Sequence, residues 1–477
     1  MKHLNSILSK IITLSFFALP YAAQADTLTI EQFLSQVQSG NSGFQGAQTT
    51  GQAGLQRSVE GDLLTTPQFF ANVNLSADSK LQEAPFGNYD RFVSNDYQIG
   101  FSDTTNFGLT ASLYYDATYI DIQNINYGTF APPFTIQQYD GKPVLTLTQD
   151  LWGNGFGKST VAQKELIESQ ALSSGYNSRY QTKVILANAE LNYWQLSIAR
   201  QLVAIQLEAE DRAQKIYDYS ARRARVHLAD EADELQALAA LDTRKLSVQA
   251  ARDDERVSSR AFNTARNISS DEVPETLVQG THPIAETLTV PKRALLRDDV
   301  KAAQENARAT RANGIVQSEK DLPVLQVFGS FAVDGRANDL GPTFTNSFAS
   351  GRNTVSGGLK LTVPLSYGTI SASRAGWAKE EAGAEMTYQK SLFDQEQTWQ
   401  DLNLRFAEAK RRLEMARVIE KAQEKKLEYE KDRLKKGRTT TYQVLLFEQD
   451  YVLSEATRLQ AEGDVFNVFT QMKLFKE

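Results

Sequence analysis

Two clusters of ionisable residues stand out by type and spacing. Asp230, Glu231, Asp233 and Glu234 place four carboxylates within five residues, and Arg433, Lys435, Lys436 and Arg438 place four cations within six. Unlike charges at this density can hold two segments together. Each exposed pair contributes about 0–1 kcal/mol and is screened over about 8–10 Å. Neither cluster has the make-up of a catalytic centre. Beyond His3, the histidines are His227 and His282, far apart in the chain, and there is no cysteine to act as a nucleophile or thiolate ligand. No Gly-x-Ser-x-Gly elbow occurs, and the GNGFG run at Gly153 suits a strand-to-helix turn better than a dinucleotide loop. The remaining carboxylates are scattered along helical text, so no acid/base pair is assigned. The residues argue against an enzyme and call for no metal or cofactor.

The chain is acidic, with formal net charge -7 and 23% charged residues, which argues against a nucleic-acid partner. The basic runs ARRAR and KRR read as solvated helix faces. Residues 1–25 read as a secretory signal peptide: Lys2 and Lys10, an apolar run from Ile11 to Leu19, then Ala23-Gln24-Ala25. No later stretch is long and apolar enough to span a bilayer as a helix, so any membrane insertion must use strands.

The elements that must position the charged clusters come in two copies. Near Leu145 the chain reads LTLTQDLWGNGFG before a helix, and near Leu359 it reads LKLTVPLSYG before another, a little over 210 residues on. Self-similarity of this kind predicts two structural repeats, residues 26–267 and 298–477, joined by a linker over 268–297. Lys158 to Arg225 lacks proline and has one glycine, which predicts a helix of about 100 Å. Return helices are expected over Asp230–Asn267 and Thr440–Phe475, with the second long helix over Ser371–Lys436. Thr27–Asp62 and Asp298–Lys320 also read as helical. Strands alternating apolar and polar residues are expected at Gln68–Asp78, within Tyr97–Ile122, and around Leu325–Val333 and Val355–Leu365. Lys80–Asn95, Gln123–Lys142 and Asp334–Asn353 read as loops. Such alternation suits a transmembrane β-strand and equally a soluble half-buried sheet, and the signal peptide tips the reading toward a barrel.

Over its whole mature length the chain resembles the TolC family of outer-membrane channels. TQDLWGNGFG is similar to the family's Gln-Pro-Leu and glycine-rich turn, with Asp150 in place of proline, whereas the second copy keeps Pro364. Arg225, Val226, His227 and Leu228 resemble the family's Val-Gly-Leu hairpin tip, with His227 for glycine. Asp233 matches an acidic position after it, and Lys436-Gly437-Arg438-Thr439-Thr440 resembles the second tip. The family's entrance carboxylates and gating tyrosine are replaced by Gln443, Leu446 and Leu434. The resemblance implies an α+β membrane protein: a homotrimer whose transmembrane β-barrel in outer-membrane lipid continues into a periplasmic α-helical barrel of antiparallel coiled-coil hairpins. It implies an exit duct for a tripartite efflux or type I secretion system, passively conducting cargo from an inner-membrane pump and a periplasmic adaptor (membrane fusion) protein. The tips are the expected adaptor docking points. Asp230, Glu231, Asp233, Glu234, Lys435, Lys436 and Gln443 are the candidate entrance residues. An outer-membrane structural or adhesive coiled-coil protein is the alternative. The Tyr97–Ile122 text exceeds the family plan of two strands per repeat by one hairpin, which either joins the barrel wall or folds outside it.

Overall fold

The computed structural model describes residues 27–476 except 80–81, 85–86, 127, 129–130, 227–229, 279–280 and 350. The signal peptide therefore lies outside the described residues. In chain order the elements are β1 (Thr27–Leu28), α1 (Ile30–Gly40), α2 (Ser42–Arg57), β2 (Gln68–Asp78), β3 (Gln82–Ala84), β4 (Gly87–Tyr89), β5 (Arg91–Thr104), β6 (Leu109–Ile125), β7 (Phe134–Trp152), α3 (Lys158–Arg225) and α4 (Glu231–Ala265). There follow β8 (Thr276–Leu277), α5 (Thr281–Thr287), α6 (Asp298–Lys320), β9 (Val324–Val333), β10 (Gly335–Ala337), α7 (Leu340–Asn346), β11 (Asn353–Thr362), α8 (Tyr367–Lys435) and α9 (Thr441–Met472). Long helices with a sheet make this an α+β fold. The chain divides into two compact units.

One unit holds residues 42–187, 290–406 and 468–476 of those described. Its sheet has the order β11-β9-β7-β6-β5-β2, every neighbouring pair antiparallel, with β10 added against β7. Pairing extends the strands beyond their alternating text. β5 begins at Arg91 because Phe92 through Ser102 pair with β2, so the loop expected over Lys80–Asn95 is shorter and carries β3 and β4. β7 begins at Phe134, opposite Ile125, inside the loop expected over Gln123–Lys142. The loop expected over Asp334–Asn353 contains β10 and α7. Thr343 and Ser347 are the buried residues of α7 and its cap, whereas Leu340, Phe344 and Phe348 are exposed. Tyr115 contacts this segment through Phe344, at 5.3 Å between ring centroids, and through Ser347 Oγ at 3.3 Å.

The helix expected over Thr27–Asp62 is broken into α1, α2 and a 3-10 turn at Glu60–Thr65. Its glycines have a packing role. A Cβ on Gly54 of α2 would lie 2.7 Å from the Ala171 carbonyl oxygen and from the Gly175 nitrogen of α3, so the two backbones approach closely there. At the β7–α3 turn, Asn154 and Phe156 adopt positive φ, and Asn154 Oδ1 accepts from Thr160 N at 3.0 Å. Asp150, standing where the resemblance has proline, accepts hydrogen bonds from Asn154 Nδ2 (2.9 Å) and Gln326 Nε2 (2.8 Å), tying β9 to the turn. Lys158 of α3 pairs with the buried Glu319 of α6 at 2.7 Å.

The other unit holds Asn188–Thr289 and Ala407–Asn467 with the described residues up to Asn41. Thr29 caps α1 through a reciprocal capping box with Gln32. Phe33 stacks on Phe262 at 4.2 Å, and Trp194 on Phe466 at 4.1 Å. The fully buried Tyr193 donates its hydroxyl to the Leu28 carbonyl at 2.6 Å and accepts from Val278 N at 3.2 Å. Those contacts straddle a parallel pairing of β1 with β8. The stretch expected as a linker thus carries a strand and α5, with Val273, Leu277 and Ala285 buried while Ile268, Val290 and Leu295 stay exposed.

Candidate functional site at the helical ends

Both candidate tips belong to the second-described unit. α3 ends at Arg225, Val226 is an exposed turn residue, and His227 and Leu228 lie outside the described residues. Asp230 has extended dihedrals (φ -77°, ψ 147°) and caps α4, its carboxylate accepting weakly from Ala232 N at 3.5 Å. Glu231, Asp233 and Glu234 fill the first turn, where carboxylates complement the exposed N–H groups and the helix dipole by about 0.3–1 kcal/mol each. The acidic cluster therefore has a local role in starting α4.

The second tip is a Schellman turn. Gly437 has φ +68°, Gly437 N donates to Leu434 O (3.0 Å), and Arg438 N donates to Arg433 O (2.9 Å). Thr440 starts α9 by accepting from Gln443 N at 3.3 Å, so Gln443 occupies the third helical position of its first turn. The hydroxyl of Thr439 donates to the buried Glu430, which also pairs with Arg433 at 3.2 Å. Lys436 pairs with Asp432 one turn earlier in α8. Two of the four basic residues are thus held by carboxylates of their own helix. Among the described residues, Lys435 and Arg438 make no ion pair, and neither do the acidic residues of the first tip.

Behind the tips, Ile216 of α3, Leu427 and Leu434 of α8 and Val444 of α9 form a buried cluster flanked by Tyr219, Leu445 and Phe447. Leu434, which stands where the resemblance has a tyrosine, is packing there. Deeper still lies a group of ionisable residues. Glu448, 2% exposed at its side chain, pairs with Arg212 of α3 and with Lys431 of α8 at 3.1 Å. Arg212 also faces Glu455 at 3.5 Å and lies over the Tyr451 ring at 5.4 Å. One turn on, Arg458 joins Glu420 of α8 at 2.7 Å to the fully buried Glu462 at 2.6 Å. Burial raises the Glu455 carboxyl to about 6, with Arg212 opposing. Burial lowers the Arg244 guanidinium, with Glu448 opposing. A cavity of about 270 Å³ opens beside this group, lined by Gln236, Arg244, Tyr442, Leu446, Glu448 and Gln449.

Carboxylates that read as scattered in the sequence converge in this network. The available signal was spacing: Glu448, Glu455 and Glu462 recur every seven residues, the repeat that keeps one helix face toward its partners. Chemically, the arrangement ties helices together by charge. Among the described residues no group of three or more possible ligands holds a metal geometry.

No family model and no curated protein matches the chain. Solved structures do. The outer-membrane channel OprN matches over 95% of this chain and 90% of its own, at 16% identity and TM-score 0.64. VceC, an outer membrane protein of Vibrio cholerae, matches over 93% and 95%, at 14% identity and TM-score 0.65. The Campylobacter jejuni CmeC outer membrane channel matches over 93% and 84%, at 14% identity and TM-score 0.63. At these identities the likeness is one of architecture, and it agrees with the resemblance carried by the turn motifs: the chain has the fold of TolC-type outer-membrane channels.

Proposed function

We propose that the protein is an outer-membrane exit channel. One observation carries the reading: the two faces of the sheet differ in chemistry along rows that cross every strand. Phe69, Phe101, Leu113, Leu145, Phe331 and Val355 are consecutive cross-strand partners from β2 to β11 and form one apolar row. One residue along, Gln68, Ser102, Ser112, Thr146, Ser330 and Ser356 form a polar row on the opposite face. An apolar row on one face and a hydroxyl row on the other, the latter flanked by Phe70, Gly100, Tyr114, Val144 and Ala332, suit lipid outside and water inside. Its outer edges, β2 and β11, would be intolerable in hydrocarbon unless paired with other copies. A homotrimer, which the family resemblance implies, closes the ring. The long helices α3, α4, α8 and α9 then form the periplasmic tunnel, and their ends meet a periplasmic adaptor fed by an inner-membrane pump. Conduction through the duct is passive, in a tripartite efflux or type I secretion assembly.

Docking is assigned to Val226, His227 and Leu228 and to Gly437, Arg438, Thr439 and Thr440. Resting closure is assigned to attraction between the acidic first tip and Lys435 and Arg438 of a neighbouring second tip. The test is single-channel recording in planar bilayers. Purified trimers are expected to conduct. Asp233→Lys or Arg438→Glu should raise open probability, and the double reversal should restore closure. Trimers that insert but pass no current would favour the structural or adhesive alternative.

A further inference from the structure

The sheet decides a question that the strand text left open. We propose that the β5–β6 hairpin is part of the membrane wall, so that three copies close an eighteen-stranded barrel with a mouth wide enough for bulky hydrophilic solutes, polypeptide segments included. The inference rests on the trimeric membrane-channel reading above. Position is the first argument. β5 pairs with β2 without interruption from Gln68↔Ser102 to Asp78↔Phe92. β6 pairs with β7 from Leu109↔Gln149 to Ile122↔Ile136. A hairpin folded outside the wall would instead leave β2 beside β7.

Length and facing agree. β5 has 14 residues and β6 has 17, more than the roughly 9–11 needed for a tilted strand to cross a bilayer. The hairpin also continues both rows of the sheet. Phe101 and Leu113 carry the apolar row, and Ser102 and Ser112, their hydroxyls 2.8 Å apart, carry the polar one. Tyr97, Tyr119 and Tyr139 lie on the apolar face farther along, the aromatic composition found where barrel walls meet the headgroups, while Tyr115 on that face is covered by Phe344 and Ser347. A soluble excursion would have no reason to keep lipid-type residues in register with those of β2 and β7.

Parity permits closure. A hairpin adds one strand leaving and one returning, so β2 and β11 still run in opposite directions and pair antiparallel between copies. Three copies of six spanning strands give eighteen, where a two-strand repeat would give twelve. At about 4.8 Å between strands and about 40° tilt, eighteen strands enclose a backbone diameter of about 36 Å, against about 24 Å for twelve. The bore is lined by the hydroxyl row through Ser112, Thr146 and Ser330, with the Asp116–Lys142 pair farther along the same face. Size selection then falls to the helical portion of the duct.

The chain has no cysteine, so single introduced thiols report without background. Bimane is attached to Phe101→Cys, Leu113→Cys, Ser102→Cys, Ser112→Cys and Leu361→Cys, each in trimers reconstituted with brominated acyl chains. Probes at 101 and 113 are expected to lose most of their fluorescence, as is the β11 control at 361, while those at 102 and 112 keep theirs. Quenching at 361 without quenching at 101 and 113 overturns the hairpin assignment and leaves the channel reading standing. No quenching at 361 overturns both. A projection map of unmodified trimers counts the strands independently of any variant: a ring of eighteen supports the inference, and a ring of twelve refutes it.

Discussion

Replacing Arg212 should loosen the helical ends more than replacing either of the two buried carboxylates it serves, Glu448 and Glu455. Glu448 is buried and shares two cations, Arg212 and Lys431, whereas Glu455 faces Arg212 at 3.5 Å. Arg212→Met therefore removes the cation facing Glu455 and leaves Glu448 with Lys431 and the field of Arg244. Breaking a buried pair from one side costs about 3–5 kcal/mol, because a desolvated charge loses its partner. Glu448→Met leaves Arg212 its contact with Glu455 and its place over Tyr451, so its cost should fall at or below the lower end of that range. Replacing both partners by methionine removes the desolvated charges together, and the double variant should be less damaged than the sum of the singles. The readout is amide hydrogen exchange of α9 in the intact protein, which follows local opening without requiring global two-state unfolding. At about 1.4 kcal/mol per decade, Arg212→Met should speed exchange around Glu448 by roughly two to three and a half decades. An Arg212→Met effect smaller than that of Glu448→Met, or strict additivity in the double variant, would show that Arg212 does not neutralise this cluster.

The same helices should respond to pH. Burial raises the Glu455 carboxyl from its ordinary 4.5 to about 6, so the folded state binds more proton than the unfolded between those values. Stability should fall as pH rises from about 4.5 to 6 and then level off, and Glu455→Gln should flatten that slope in a melting series. On β11, Leu361→Arg should cost about 2–4 kcal/mol if the residue lies near the bilayer midplane, whereas Thr362→Arg on the polar face should fold normally. Equal loss of assembled trimer from the two variants would sink the facing assignment. At the second tip a Cβ on Gly437 meets nothing within 4 Å, so only the positive φ resists substitution. Gly437→Asn should keep the turn because asparagine tolerates that region, while Gly437→Val should cost at least about 1–2 kcal/mol. If both leave cross-linking to the adaptor intact, docking lies elsewhere.

The long helices were legible from sequence because their determinants are local. Lys158 to Arg225, free of proline, forms α3 with those limits, and Asp298–Lys320 forms α6 as expected. The ends of α4, α8 and α9 fall within a few residues of the turn signals at Asp230, Gly437 and Thr440. β2 likewise matches its alternating text from Gln68 to Asp78. What the sequence did not disclose depends on partners distant in the chain. Whether β5 and β6 lie between β2 and β7 is a matter of register, and alternation is identical in either placement. The glycines of α2 look like helix weakeners until Gly175 of α3 is brought against Gly54. Lys436, counted as half of a pairing between tips, is engaged by Asp432 of its own helix. The charge network around Arg212 required three helices to converge, because burial makes Glu448 dependent on cations from α3 and α8, and no window of sequence contains all three. Local periodicity thus determined which segments are helix or strand, and only tertiary packing decided which faces meet, since desolvation and strand register are properties of pairs.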